Sequence, residues 1–183
     1  MQENPYSPPT AALVLPADQA GSQTPFFAVS PLKLVVMSVF TCGIYEVYWF
    51  YKNWQYFKLR EKENIHPFWR AIFGVFFCYS LFSEIREWQE ELGKGQMLAG
   101  WLAAGWIVTT LLYKLPDPFW LISMASVFFL VPVQKVVNDI NLAEAPEHDP
   151  NSKIRGVNWI GIVLGGLALA LAISGTFMPD NSA

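Results

Sequence analysis

Long gaps between charged residues limit what this chain can fold into more than any other feature. Reading from one Asp, Glu, Lys or Arg to the next, Gly95 to Tyr113 holds 19 uncharged residues, Pro118 to Gln134 holds 17 and Gly156 to Pro179 holds 24. A helix crossing the hydrocarbon core needs about 20 mostly apolar residues, with a tolerance of roughly 17 to 25. All three windows qualify. Two shorter ones follow the same trend. Ala71 to Ser83 is 13 residues, lengthened by Phe68 and Trp69 if Arg70 snorkels or is paired. Leu34 to Tyr45 is 12 and reaches spanning length only by taking in Glu46. Three clean windows would leave a soluble domain little polar surface to offer water. Composition agrees, with 15% charged and 53% hydrophobic residues, where ordinary soluble domains carry roughly a quarter charged.

The expectation is an all-α fold: an integral membrane helical bundle of four to five transmembrane helices with an aromatic-basic interfacial helix. The apolar segments fall at about 32–50, 67–84, 96–113, 118–134 and 157–178, in a single membrane domain over 31–178. Residues 179–183 form a short tail. Residues 1–31 carry six prolines and no Lys or Arg, which predicts a disordered Pro-rich tail over 1–30. A cleaved signal peptide would need a basic start and a longer apolar run. Pro67-Phe-Trp and Pro118-Phe-Trp open two stretches, 67–113 and 118–175, that hint at a two-helix repeat. Beyond Gln134, the spacing of Val133, Val136, Val137 and Ile140 predicts that the fourth helix runs on as an amphipathic stretch.

In the first segment Gly43 permits a bend. After it, Tyr48, Trp49, Tyr51 and Trp54 alternate with Lys52 and Lys58, a mixture suited to the headgroup zone, where amphipathic rings settle and lysines reach phosphates. The connection over 52–70 carries five Lys and Arg, and the positive-inside rule puts it in the cytoplasm. Five spans would then leave 135–155, with Lys135, Lys153 and Arg155, outside, against the rule; a re-entrant or interfacial first or second segment relieves that conflict. Gly161 and Gly165, four apart, let helix backbones approach closely and mark a packing face within the chain.

Glu46 and Arg70 are the ionisable residues expected nearest membrane depth. Unpaired charges there are expensive, so they are expected to form a charge pair or to sit at the headgroup boundary; a structural pair outweighs a role in ion movement. Glu147-His148-Asp149 resembles a metal fragment, but His66 is the only other histidine and no ligand spacing repeats, so a solvated loop is the simpler reading. No zinc-helix motif, phosphate-binding glycine loop or nucleophile elbow occurs. Cys42 and Cys78 lie in apolar windows and imply no disulfide framework. Catalytic, cofactor-binding and metal-binding residues are therefore expected to be absent, and no cofactor is implied. Scattered basic residues and a net charge of −3 argue against nucleic acid.

Thr41-Cys-Gly-Ile-Tyr-Glu-Val-Tyr-Trp-Phe-Tyr-Lys-Asn-Trp54 resembles a group of small bacterial multi-pass membrane proteins classed as domains of unknown function, which share a Gly-Ile-Tyr, Tyr-Trp-x-Tyr and Trp signature. Pro67-Phe-Trp-Arg-Ala, Pro116-Asp-Pro and the run from Val133 to Asn141 look like further shared elements. The resemblance implies a location in the bacterial inner membrane and brings no catalytic residue with it. The expected function is non-enzymatic, an assembly or interaction partner in the membrane whose partners are the lipid bilayer and another membrane protein. A small transporter or channel is the alternative, and a lipid-handling membrane enzyme ranks third.

Overall fold

Proline, glycine and single non-helical residues decide where the apolar stretches of this chain divide. The computed structural model describes residues 24–177 and is all-helical over them. Helix α1 (Pro31–Phe40) starts with Pro31 in its first turn, where no backbone donor is needed, and Ser30 accepts a hydrogen bond from Lys33 N at 3.2 Å. It stops at Thr41-Cys42-Gly43. Cys42 (φ 50°) and Gly43 (φ 84°) adopt left-handed conformations, and Gly43 N–H donates to the Ser38 carbonyl at 2.8 Å, the six-residue closure that ends many helices. Helix α2 (Ile44–Glu61) follows at once.

The chain reverses at this break. Asn53, in α2, accepts a hydrogen bond from Phe27 N at 3.1 Å. Four residues cover at most about 14 Å, so Pro31 lies within that reach of Phe27. A straight helix from Pro31 to Asn53 would instead hold its ends about 33 Å apart. Helices α1 and α2 therefore form a hairpin with its tip at residues 41–43, and the first apolar segment over 32–50, expected as a span or else as a re-entrant or interfacial piece, doubles back on itself.

The second segment is also divided. Helix α3 (Pro67–Ile72) meets α4 (Gly74–Glu91) at Phe73, whose ψ of 36° interrupts the helix. Helix α5 (Ala99–Leu111) is prolonged by a 3-10 turn over Leu112–Lys114. A 3-10 run, Phe119–Ser126, leads into α6 (Val127–Glu144), which continues past Gln134 and contains Pro132. Helix α7 (Gly156–Thr176) completes the described fold. The two Pro-Phe-Trp motifs fold differently, one opening an α-helix and the other preceding a 3-10 run, so the local structure does not repeat. Asp117 does not cap the run behind it; its carboxylate accepts from the Thr176 hydroxyl at 3.3 Å.

Two stretches are long and apolar enough to cross a bilayer: Phe119–Glu144, 26 residues, and Gly156–Thr176, 21 residues. Of the four to five spans expected from the windows, these two meet the length and apolarity of a crossing helix; the breaks at 41–43 and Phe73 shorten the first two segments, and α5 has 13 residues of its own. Helix α7 buries only Leu169 and presents Val157, Ile160, Val163, Leu164, Leu167 and Leu171 outward.

The molecule has two distinct ends. At one, Arg60 reaches Pro25 O at 3.0 Å, Asn141 Nδ2 reaches Phe26 O at 3.0 Å, Lys94 Nζ reaches Asp139 O at 2.8 Å, and Lys33 Nζ meets Asn151 Oδ1 and Lys153 O at 2.8 and 2.9 Å. At the other, Thr176 touches Asp117 and accepts from Trp120 Nε1 at 3.1 Å. Helices α5 and α7 and the Phe119–Glu144 stretch each run between these ends. Arg60 and Asn151 both bind residues 25–28, so the 52–70 and 135–155 connections lie at the same end, not on opposite faces as five alternating spans require.

Residues 1–23 of the expected Pro-rich tail and the tail over 179–183 lie outside the described residues. Residues 24–30, assigned to that tail from composition, are an extended strap buried among the helices. Phe26 and Val29 are fully covered. The strap's backbone is held by side-chain amides: Asn141 both accepts from Phe26 N and donates to Phe26 O, Gln134 donates to Phe27 O at 3.2 Å, Asn138 to Val29 O at 3.0 Å and Asn151 to Ala28 O at 3.0 Å. An extended chain between helices has no neighbouring strand, so buried backbone groups must find such partners. Composition misled here because Phe26, Phe27 and Val29, rather than the prolines, set the burial.

Candidate functional site

The hairpin tip places Glu46 in the first turn of α2, facing inward. The residue is 4% exposed. Trp106 Nε1–H, from α5, donates to Glu46 Oε2 at 2.6 Å, and Ser126 Oγ–H, at the start of α6, donates to Oε1 and Oε2 at 2.9 and 3.1 Å. Three separate parts of the chain thus converge on one carboxylate. The α2 N-terminus adds the favourable end of its helix dipole. Local sequence explains the arrangement: the left-handed pair Cys42-Gly43 turns the chain, and three residues further on the side chain is directed into the bundle. Beside Glu46 is a cavity of about 400 Å³, lined among others by Ser38, Cys42, Phe50, Ala71, Thr110, Tyr113, Trp120 and Ser126. Ser38 Oγ and Thr110 Oγ1 are buried without a hydrogen-bond partner among the described residues.

The expected Glu46 and Arg70 pair is not formed. Among the described residues no ion pair joins them. The Arg70 guanidinium lies 4.4 Å from the Trp54 ring centroid and 5.4 Å from that of Phe77. Aromatic faces attract a cation without needing a carboxylate, and neutral N–H and O–H donors stabilise a carboxylate without needing a cation. Each residue has therefore found a partner that the charge pattern alone could not show.

The aromatic-basic helix separates into two faces. Trp49 and Trp54 are fully buried and belong to the core with Phe50, Phe57 and Phe82, not to a headgroup belt. Trp49 Nε1 donates to Gln134 Oε1, which ties α2 to α6. Tyr48 is exposed, and Tyr51, Lys52 and Lys58 are partly so. Lys52 Nζ sits 5.6 Å from the Tyr56 ring centroid, and burial lowers its pKa while raising that of Tyr56. Only the outer face of α2 thus fits the interfacial reading. Its helical spacing was legible, but which aromatics faced inward was not, because aromatics occur on both sides.

Gly165 of α7 lies against the Phe40 carbonyl of α1, where a Cβ would collide, whereas a Cβ at Gly161 would make ordinary contacts with Met37 and Thr41 at 3.6 and 3.7 Å. His148 Nδ1 is 2.6 Å from the Ala145 carbonyl, and no cluster of metal-ligating residues occurs among the described residues.

Sequence reasoning missed Trp106, Ser126, Ser38 and Thr110, which complete the Glu46 site, and Asn53, Gln134, Asn138 and Asn141, which hold the strap. The signal for the second group was present: Gln134, Asn138 and Asn141 recur at four and then three residues, one face of a helix. In the first group, Trp106 and Ser126 lie 60 and 80 residues from Glu46 and carry no local signal, and Ser38 joins them only because the chain turns back between it and Glu46. Comparison with protein-family models, with curated proteins and with solved structures finds no match to the chain.

Proposed function

We propose that this chain is a non-enzymatic, multi-pass helical protein of a bacterial inner membrane, that its charged end faces the cytoplasm, and that it handles a small solute at the tip of the α1–α2 hairpin. The membrane reading is supported by α7, which turns Val, Ile and Leu side chains outward along most of its circumference, away from the face seated on α1, over 21 residues, about 31 Å of helix and enough to cross the hydrocarbon core. Trp101 at 77% exposure and Phe76 at 78% continue that apolar surface onto α5 and α4. Water would penalise such a surface and lipid does not. Because α5 and the Phe119–Glu144 stretch connect the same two ends as α7, all three cross if α7 does. The bacterial location is what the resemblance of residues 41–54 implies.

One observation carries the solute-handling role: Glu46, a buried carboxylate with no cationic partner among the described residues, borders a cavity where a helix is broken. Helix α1, at 10 residues, reaches about 15 Å, half the hydrocarbon thickness, so the tip lies near mid-depth. Broken helices at that depth are tolerated where they line a cavity, and they are where transporters build their sites. A second reading, assembly with another membrane protein, is favoured by the exposed rings of Phe68, Trp69 and Phe73, whose neighbouring centroids are 5.3 and 6.1 Å apart. Reconstitution into proteoliposomes separates the two: solute flux lost in Glu46→Ala supports the first, whereas no flux together with stoichiometric co-purification of one membrane protein, abolished by Trp69→Ala, supports the second.

A further inference from the structure

We propose that the Glu46 cavity binds a small primary or secondary organic ammonium ion, seated between the carboxylate and the apolar wall that Phe50 of α2 and Trp106 of α5 form. This names the ligand class for the solute-handling reading and rests on it. The chemistry of the lining selects the class. Glu46 supplies the negative charge, and its existing donors, Trp106 Nε1–H and Ser126 Oγ–H, are neutral, so the charge is stabilised but not cancelled. Inside a bundle an uncompensated charge is costly, and a cationic guest removes that cost. Arg70 does not meet the need, being engaged with Trp54 and Phe77.

Two further features point to an ammonium bearing N–H groups rather than to a bare metal ion or a quaternary centre. Ser38 Oγ, on a residue 2% exposed, and Thr110 Oγ1 are buried acceptors lining the same cavity with no partner among the described residues. A buried hydroxyl left unpaired costs free energy that an incoming N–H recovers. Phe50 and Trp106, packed against each other with centroids 4.7 Å apart, border the cavity and give it an apolar wall that suits the carbon part of an organic cation and not a hydrated metal ion. A cavity of about 400 Å³ lies in the size range of small-ligand sites and far exceeds what a single inorganic cation fills.

The test uses the full chain in lipid nanodiscs, with benzylammonium as the probe, isosteric neutral benzyl alcohol and potassium ion as comparators, and calorimetry as the readout. Benzylammonium should bind saturably near neutral pH, and Glu46→Gln, which keeps an acceptor for Trp106 and Ser126 while removing the charge, should weaken it by about tenfold or more. Ser38→Ala, a smaller change, should weaken benzylammonium by a few-fold and leave any partition of benzyl alcohol unaltered. Equal affinity for benzyl alcohol and benzylammonium would overturn the proposal, as would unchanged benzylammonium affinity in both variants, or competition by potassium at equal concentration. Proteoliposome flux measured alongside separates the two levels of the argument. Binding without flux retains the site and removes the transport role, whereas flux of a neutral solute without benzylammonium binding retains transport and removes this ligand class.

Discussion

Glu46 accepts from Trp106 and Ser126, two donors that have no other acceptor in the hydrogen-bond pattern of the described residues. Glu46→Ala strands both donors, and loss of about 2–4 kcal/mol of stability is expected, with a smaller loss for Glu46→Gln. Thermal melting of the two variants in the same detergent checks the order; equal melting temperatures would remove the carboxylate from the core network. Asn141 is the second residue on which much depends. It satisfies both Phe26 N and Phe26 O, so Asn141→Leu leaves two buried backbone groups unpaired, and about 2 kcal/mol or more should be lost. Proteolysis near Phe26 should quicken in parallel. A destabilised Asn141→Leu with unchanged cleavage there would mean that the amide does not hold the strap.

At the scale of elements, α7 comes nearest to the α1 backbone at Gly165. Gly165→Ala brings a methyl against the Phe40 carbonyl, a backbone atom that cannot rotate away, so about 1–3 kcal/mol of destabilisation is expected. Gly161→Ala meets side-chain atoms at 3.6 and 3.7 Å and should fall within about 1 kcal/mol of the parent. Detergent-resistant melting of the pair gives the comparison; similar behaviour of the two variants would show that α7 is not seated on α1 at this point. The Gly161 and Gly165 spacing was legible because small residues four apart share a face. Which helix they would meet was not, because any of several apolar helices satisfies that spacing. Helix α2 shows the same limit: aromatic enrichment was plain, yet Trp49 and Trp54 turned inward while Tyr48 turned outward, a choice made by Gln134, Phe82 and the strap.

For the whole molecule, the two-ended architecture resolves the charge conflict of a five-span reading. Lys58, Arg60, Lys62, Lys94, Lys153 and Arg155 gather at the end that carries the strap, while Lys114 is the Lys or Arg at the opposite end among the described residues. An asymmetry of that kind is what the positive-inside rule expects of a chain whose strap end faces the cytoplasm. Single cysteines introduced at Lys62, Gln96 and Ser152, in a chain with Cys42 and Cys78 replaced, should react with an impermeant maleimide from the cytoplasmic face. Cysteines at Asp117 and Gly175 should react from the other. Opposite labelling of Lys62 and Ser152 would restore five alternating spans and remove the hairpin.

The uncharged windows by themselves determined that the chain is helical and where its apolar segments lie, since removing charge over 17 to 24 residues leaves few other ways to satisfy the backbone. The continuation of α6 beyond Gln134 and the bend at Gly43 were legible for equally local reasons, helical periodicity and a residue that tolerates positive φ. Tertiary structure decided between a spanning and a returning first segment, which charge alone left open, and it alone decided that Arg70 chooses Trp54 over Glu46 and that residues 24–30 are buried. Each of these depends on partners distant in sequence: Asn53, Asn141 and Gln134 for the strap, Trp106 and Ser126 for the carboxylate. Hydropathy measures what a residue loses by leaving water, whereas these outcomes depend on which donor or ring stands opposite it once the chain has folded.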